Sequence, residues 1–423
     1  MSTTDQRALA DPVFRRFLAA RAVCMAGNVL TMVALPVLVY RLTSSPALTA
    51  MIAVAETAPY LVVGLPAGAL VDRWNRRRVL VWTEALSGLV LLTVPLADVA
   101  GALTVPHLLG AALAVSTLFV LGDAATFGIV PHMVGRHRVA SATSTLVSVG
   151  TSVGLVGPLV AGLLVTSTNP VVAIGLDGLG YLVSATVIAR LRWSGSESVA
   201  PTGPDRRLGR EIADGLRFIW RTRVVRWLTV LGIGTSLAGG ATSGLLVVIG
   251  VEQLGLEPTS SALGWLFAAG ALGTFAASLA LPRVQRRLGV GVITTVGYAT
   301  ALVAMLCLAQ TRHLAAAVPV LVVLNYATTT VIVNGIVTRQ VVTPQHLQSR
   351  VNTTARLVAW GGSPLGAALG GFLAGPLGTP GALRIASVNL AASLVGAWAV
   401  RLHRVGRLDR LADEAPASPA PTG

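Results

Sequence analysis

The chain has 423 residues, of which 53% are hydrophobic and only 12% charged, and its mean hydropathy is +0.73. A typical soluble domain carries about 25% charged residues, and one as apolar as this would expose large patches and aggregate, which excludes a soluble protein. The net charge of +15 comes from 32 arginines with no lysine. They lie in small groups between apolar segments, not on one soluble face, so a nucleic-acid-binding surface is excluded too.

A helix crosses the bilayer core with about 20 apolar residues. Twelve such stretches follow one another, at 17–41, 46–71, 78–98, 105–131, 139–165, 170–191, 227–251, 259–281, 290–311, 314–338, 350–375 and 379–402. The first is long and lacks a small-residue cleavage site, so it reads as a span and not as a signal peptide. Cys24 and Cys307 fall inside apolar stretches, which leaves neither a disulfide framework nor a zinc spacing. With the N-terminus inside, 28 arginines lie on or at the inner edge, Arg41, Arg312 and Arg384 lie outside, and Arg356 sits within a span. That is the bias expected of cytoplasmic loops. An error of one helix in either half would scramble the alternation.

The reading is an all-α membrane protein with twelve transmembrane helices in two pseudo-symmetric six-helix bundles, both termini cytoplasmic. Residues 1–16 form an N-terminal cytoplasmic segment, 17–192 the first bundle, 193–226 a linker, 227–402 the second bundle, and 403–423 a disordered Ala- and Pro-rich tail. Within the linker, Ser194 to Pro204 is flexible. From Gly209 onward Ile212, Leu216 and Ile219 recur at helical spacing with arginines between them, which predicts an amphipathic helix on the inner face. The bundles look related. A shift of the first by 212 places Arg138-Val139 on Arg350-Val351, Gly150 on Gly362 and Gly154 on Gly366, and the basic loop Arg73–Arg78 has a counterpart at Arg283–Arg287. Internal repeats of this kind mark secondary transporters, with the substrate site near the midplane.

Between spans 2 and 3 the chain reads Gly68-Ala-Leu-Val-Asp72-Arg73-Trp-Asn-Arg76-Arg77-Arg78. This resembles the signature of the major facilitator superfamily, with Asn75 where a second glycine is usual. Asn also accepts a left-handed turn, which accounts for the departure. Span 5 carries Gly150, Gly154, Gly157, Pro158 and Gly162, similar to the antiporter motif of superfamily exporters. The run Arg339-Gln340, Thr343-Pro344, Arg350-Val-Asn352, Pro364-Leu-Gly366 and Gly370-Gly371 looks like the macrolide-efflux-like branch of drug:proton antiporters, which includes an enterobactin exporter.

The resemblance implies that Asp72 faces the N-terminal end of span 11, where a helix terminus stabilises a carboxylate, and so latches the inner gate. Arg73 and Arg76, Arg77 and Arg78 would anchor the loop to phosphates, or merely enforce topology. The glycines of span 5 let backbones approach and Pro158 kinks it, either as packing or to block leak. It also implies that spans 1, 4, 7 and 10 line the cavity. Acids inside spans are costly and usually functional, so Glu56 and Asp123 are the proton-coupling candidates. Glu84 and Asp177 read as structural, Glu84 beside the arginine cluster. Arg356 has three readings: a partner for Asp123 or Asp72, or a holder of an anionic substrate. Asn28 and Asn325 bind substrate or neighbouring helices, and Tyr60, Phe119, Trp265 and Trp360 stack on an apolar ligand or pack.

Without lysine there is no Walker A site. Gly150-Thr-Ser152-Val-Gly154 fits an esterase pattern formally but lies on a membrane helix with no preceding strand. The six histidines show no metal-ligand pairing, and Asn352-Thr-Thr354 is a sequon on the cytoplasmic side. The expected protein is no enzyme. It is a secondary transporter without a cofactor, driven by the proton gradient, that exports small amphipathic molecules. Its partners are that substrate, protons and membrane lipids, with no nucleic acid, and it works as a monomer. The alternatives are an uptake transporter of the same fold and a non-transporting membrane sensor.

Overall fold

The structure is a computed structural model that describes residues 8–64, 67, 70–71, 74–135, 138–167, 169–191, 216–258, 260–344, 351, 355 and 361–408. Gly68, Asp72, Arg73, Arg356 and Trp360 lie outside the described residues, as do most of the linker and the tail. Among the described residues the chain is helical, with no strand. The helices are α1 (Pro12–Thr43), α2 (Pro46–Val62), α3 (Arg76–Val99), α4 (Val105–Val134), α5 (Val139–Ser167), α6 (Pro170–Arg190), α7 (Arg223–Val248), α8 (Ala262–Arg287), α9 (Val290–Leu308), α10 (Leu314–Val342) and α11 (Gly362–Ala399). Nine of the helices among the described residues are long and apolar enough to cross a membrane. Helices suit that environment because they satisfy every backbone group internally.

Local sequence sets the helix starts. Asp11, Ser45 and Asn169 each accept a backbone N–H of the first turn, and each is followed by a proline that needs no partner there. Asn75 caps α3 in the same way, accepting from the Arg78 N–H at 3.1 Å with φ −67° and ψ 106°. This corrects the expectation of a left-handed turn: the residue in place of the glycine is extended backbone, kept for its side-chain oxygen. Asn75→Ala should lower stability by about 1 kcal/mol, read as a lower melting temperature in detergent. The predicted spans 350–375 and 379–402 meet in α11, which is broken at Gly378 (φ 68°). A left-handed residue between Leu377 and Thr379 ends one helical arm and starts the next.

The chain divides into two units, residues 1–203 with 256–268, and residues 204–255 with 269–423. In the first, α3 packs on α6 where Gly88 and Gly178 bring the backbones together, and α1 packs on α6 where Gly27 leaves room for the Asp177 side chain. In the second, α7 packs on α11. Gly234 and Gly240 of α7, with Gly362, Gly366 and Gly370 of α11, form a small-residue seam, and a Cβ at Gly366 would fall on the carbonyl of Leu237. Gln253 donates to the carbonyls of Leu308 (2.6 Å) and Thr311 (2.9 Å), satisfying acceptors at the C-terminal end of α9. Leu216–Arg221 is helical, and Ile219 packs with Val225, Val351 and Ala355. Of the predicted apolar face, Ile219 meets protein, Leu216 is exposed, and Ile212 lies outside the described residues.

Candidate functional site

The first unit holds a cavity of about 350 Å³, within the range of small-molecule sites. The face of α1 that lines it carries Met25, Asn28, Val29, Met32 and Leu35 at helical spacing. Across from it are Glu56 and Tyr60 of α2, Ser116 and Phe119 of α4, and Gly150 and Gly154 of α5. The Tyr60 and Phe119 rings are tilted by 57° with centroids 6.4 Å apart, a favourable aromatic geometry. Glu56 is half-buried and is the one charged side chain among the lining residues. It has no hydrogen-bond or ion-pair partner among the described residues.

A buried polar layer backs this cavity. Tyr181 donates its hydroxyl to Asn28 at 2.7 Å, and Thr31, which also lines the cavity, donates to Asp177. One turn before Asn28, at Cys24, and further back at Arg21, α1 faces α3. The Arg21 guanidinium donates to Glu84 at 2.7 Å with both side chains buried. Glu84 was expected beside the arginines of the loop before α3. Its side chain points across to α1 instead, because those arginines occupy the first turn of α3 while Glu84 lies two turns further along. Arg77 turns the other way and donates to the carbonyl of Ala189 near the end of α6, where a cation suits the helix dipole.

The remaining sequence candidates separate. Asp123 lies one turn past Phe119 on α4, half-buried, and is not among the lining residues. Trp265 is 52% exposed. Asn325 donates back to the Leu321 carbonyl and lies beside Gly270 and Gly273 of α8. The glycines of α5 divide by surroundings. Gly150 and Gly154 face the cavity, Gly157 abuts Val29, and Gly162 lies backbone to backbone on Gly264. Gly162→Val should therefore cost several-fold in folded yield, since overpacking a tight contact is destabilising. Gly154→Val, with open space around its Cβ, should fold normally and change only what the cavity accepts. Expression and melting of the two variants side by side check this contrast. Sequence reasoning missed Met25 and Met32, although their spacing from Asn28 already placed them on its face. It also missed the Arg21–Glu84 pair, since Arg21 was assigned to the basic inner edge.

An apolar, aromatic-walled cavity with a few polar groups, enclosed by long apolar helices, defines a multi-pass membrane transporter. The chain belongs to the major facilitator superfamily, in the family described as transmembrane secretion effector, whose model matches residues 3–421. Among its relatives is the multidrug efflux pump Tap of Mycolicibacterium fortuitum, 30% identical over 402 residues, which covers 91% of this chain and 94% of Tap. The Tap protein of Mycobacterium tuberculosis strain H37Rv is 28% identical over 411 residues, covering 93% and 94%. The fold is that of solved transporters. A bacterial homologue of the human lysosomal transporter Spinster, inward-facing and occupied, superposes with a TM-score of 0.73 at 14% identity, covering 96% of this chain and 98% of that one. The nucleoside transporter NupG superposes at 0.70 with 10% identity, covering 93% and 99%. These are transporters and not enzymes, and the chain is a multi-pass protein of the bacterial inner membrane.

Proposed function

We propose that this chain exports drugs or amphipathic natural products from the cytosol or inner leaflet by proton antiport. The observation that carries the reading is the cavity of the first unit, where Glu56 stands as the single charged group in apolar surroundings. A carboxylate there has to be neutralised, since an isolated charge away from water is costly. A proton and the polar or cationic part of a cargo molecule are alternative ways to do so. Exchange of one for the other at Glu56, coupled to opening on alternate sides, gives antiport. The Met, Leu and aromatic walls take the apolar body of the cargo, and adaptable side chains of this kind accept varied ligands. The names of the mycobacterial relatives support export of several compounds.

The full architecture in this proposal is twelve helices with both termini cytoplasmic. The two arms of α11 supply the last two spans, and the arginine bias sets the orientation. The protein works as a monomer among membrane lipids, with the proton gradient as its energy source and no cofactor. Uptake of lipophilic dyes and antibiotics into everted vesicles tests this. Uptake that an uncoupler abolishes is the expected result. Accumulation in right-side-out vesicles instead would mean import and overturn the direction.

A further inference from the structure

A second cavity, of about 360 Å³, lies in the other unit, between the first turn of α7 and the segment that leaves α11. Arg223, Arg401 and Arg404 line it together with Val224, Trp227 and Leu402. No acidic side chain is among the residues that line it. Arg223 spends one donor on the Val400 carbonyl at 3.0 Å, at the C-terminal end of α11. Each guanidinium has five donors in a fixed fork, so Arg223 keeps donors beyond the one given to Val400, and Arg401 and Arg404 line the same cavity with no acidic residue in its lining.

The segment is held in place. Arg401 takes a left-handed conformation (φ 57°) that turns the chain back, Leu402 is buried, and the Gly406 carbonyl accepts the Val290 N–H at 3.0 Å. The cavity is thus fixed on the ends of α7, α9 and α11. The aromatic residues around it mark its depth. Trp220 and Trp398, each three residues before one of the arginines, are 54% and 65% exposed, and the Trp398 ring lies 5.3 Å from the His403 ring. Exposed tryptophans beside arginines at the ends of apolar helices are characteristic of the headgroup level of a bilayer.

We propose that this cavity binds the phosphate of an anionic phospholipid, with the acyl chains lying along the apolar faces of α7 and α11. Guanidinium forks match phosphate oxygens bidentately, and basic pockets between membrane helices hold anionic headgroups. This site is separate from the cargo cavity and does not depend on the export reading.

Native mass spectrometry of the full-length, detergent-released protein tests it, with phosphatidylglycerol, phosphatidylcholine and inorganic phosphate added in separate titrations. The expected result is a phosphatidylglycerol adduct on the unaltered protein. Affinity should fall about tenfold or more in Arg401→Gln/Arg404→Gln and be partly kept in Arg401→Lys/Arg404→Lys. The lysine variant retains charge without the fork and reports on the site even if the glutamine variant folds poorly. Equal binding of phosphatidylcholine, or unchanged binding by the glutamine variant at unchanged melting temperature, would overturn the proposal. Displacement of the lipid by millimolar inorganic phosphate would also overturn it, by reassigning the site to soluble phosphates.

Discussion

Arg21→Met should destabilise the detergent-solubilised protein by about 3–5 kcal/mol, because it leaves the Glu84 carboxylate buried without its cation. The pair lies between α1 and α3 with both side chains buried, and it meets through a single contact of 2.7 Å. Arg21 Nε and Glu84 Oε2 have no hydrogen-bond partner among the described residues. Cys24 and Ser184 are the other polar side chains beside Glu84, and neither carries a positive charge that could replace Arg21. The pair as a whole contributes far less than its breakage costs, since both groups gave up water to form it. Arg21→Met/Glu84→Leu should therefore melt close to the unaltered protein, while Glu84→Leu alone should be as damaging as Arg21→Met. Thermal melting of the four proteins checks this double-mutant cycle. If both single variants melted normally, the pair would be solvated and the assignment of a buried layer behind the cavity would be wrong.

Glu56→Gln should reduce gradient-driven transport to the level of vesicles lacking the protein, with folding unchanged. Gln keeps the size of the side chain but does not take up or release a proton near neutral pH, and Glu56 makes no ion pair among the described residues whose loss would unfold the protein. Asp123→Asn is the paired comparison. Asp123 does not line the cavity, so its loss should reduce transport less than that of Glu56. Dye uptake into everted vesicles, normalised to folded protein, distinguishes the two. Full activity in both variants would remove carboxylates of these two helices from the coupling step.

Much of this architecture is legible in the sequence because membrane helices follow simple rules. Apolar length gave the spans, and Asp11-Pro12, Ser45-Pro46 and Asn169-Pro170 mark helix starts by pairing a cap oxygen with a residue that lacks an N–H. The cavity is partly legible. Glu56, Asn28, Tyr60, Gly150 and Gly154 were singled out as unusual residues within spans, and all five line it. What was hidden depends on which way a side chain turns around a helix axis, information that hydropathy does not carry. Glu84 faces Arg21 of α1 and not the arginines adjacent in sequence. Asn75 shows a subtler limit. A motif departure invited a backbone explanation, whereas the φ of −67° and the bond to Arg78 make it a matter of side-chain capping.

The central claim is that cargo and protons cross in opposite directions through one protein. Purified protein in liposomes, loaded with a pH-sensitive dye and given a cargo gradient without a proton gradient, tests it most directly. The account predicts proton movement opposite to the cargo, abolished in Glu56→Gln. Cargo movement with no change in internal pH, in the unaltered protein, would contradict it.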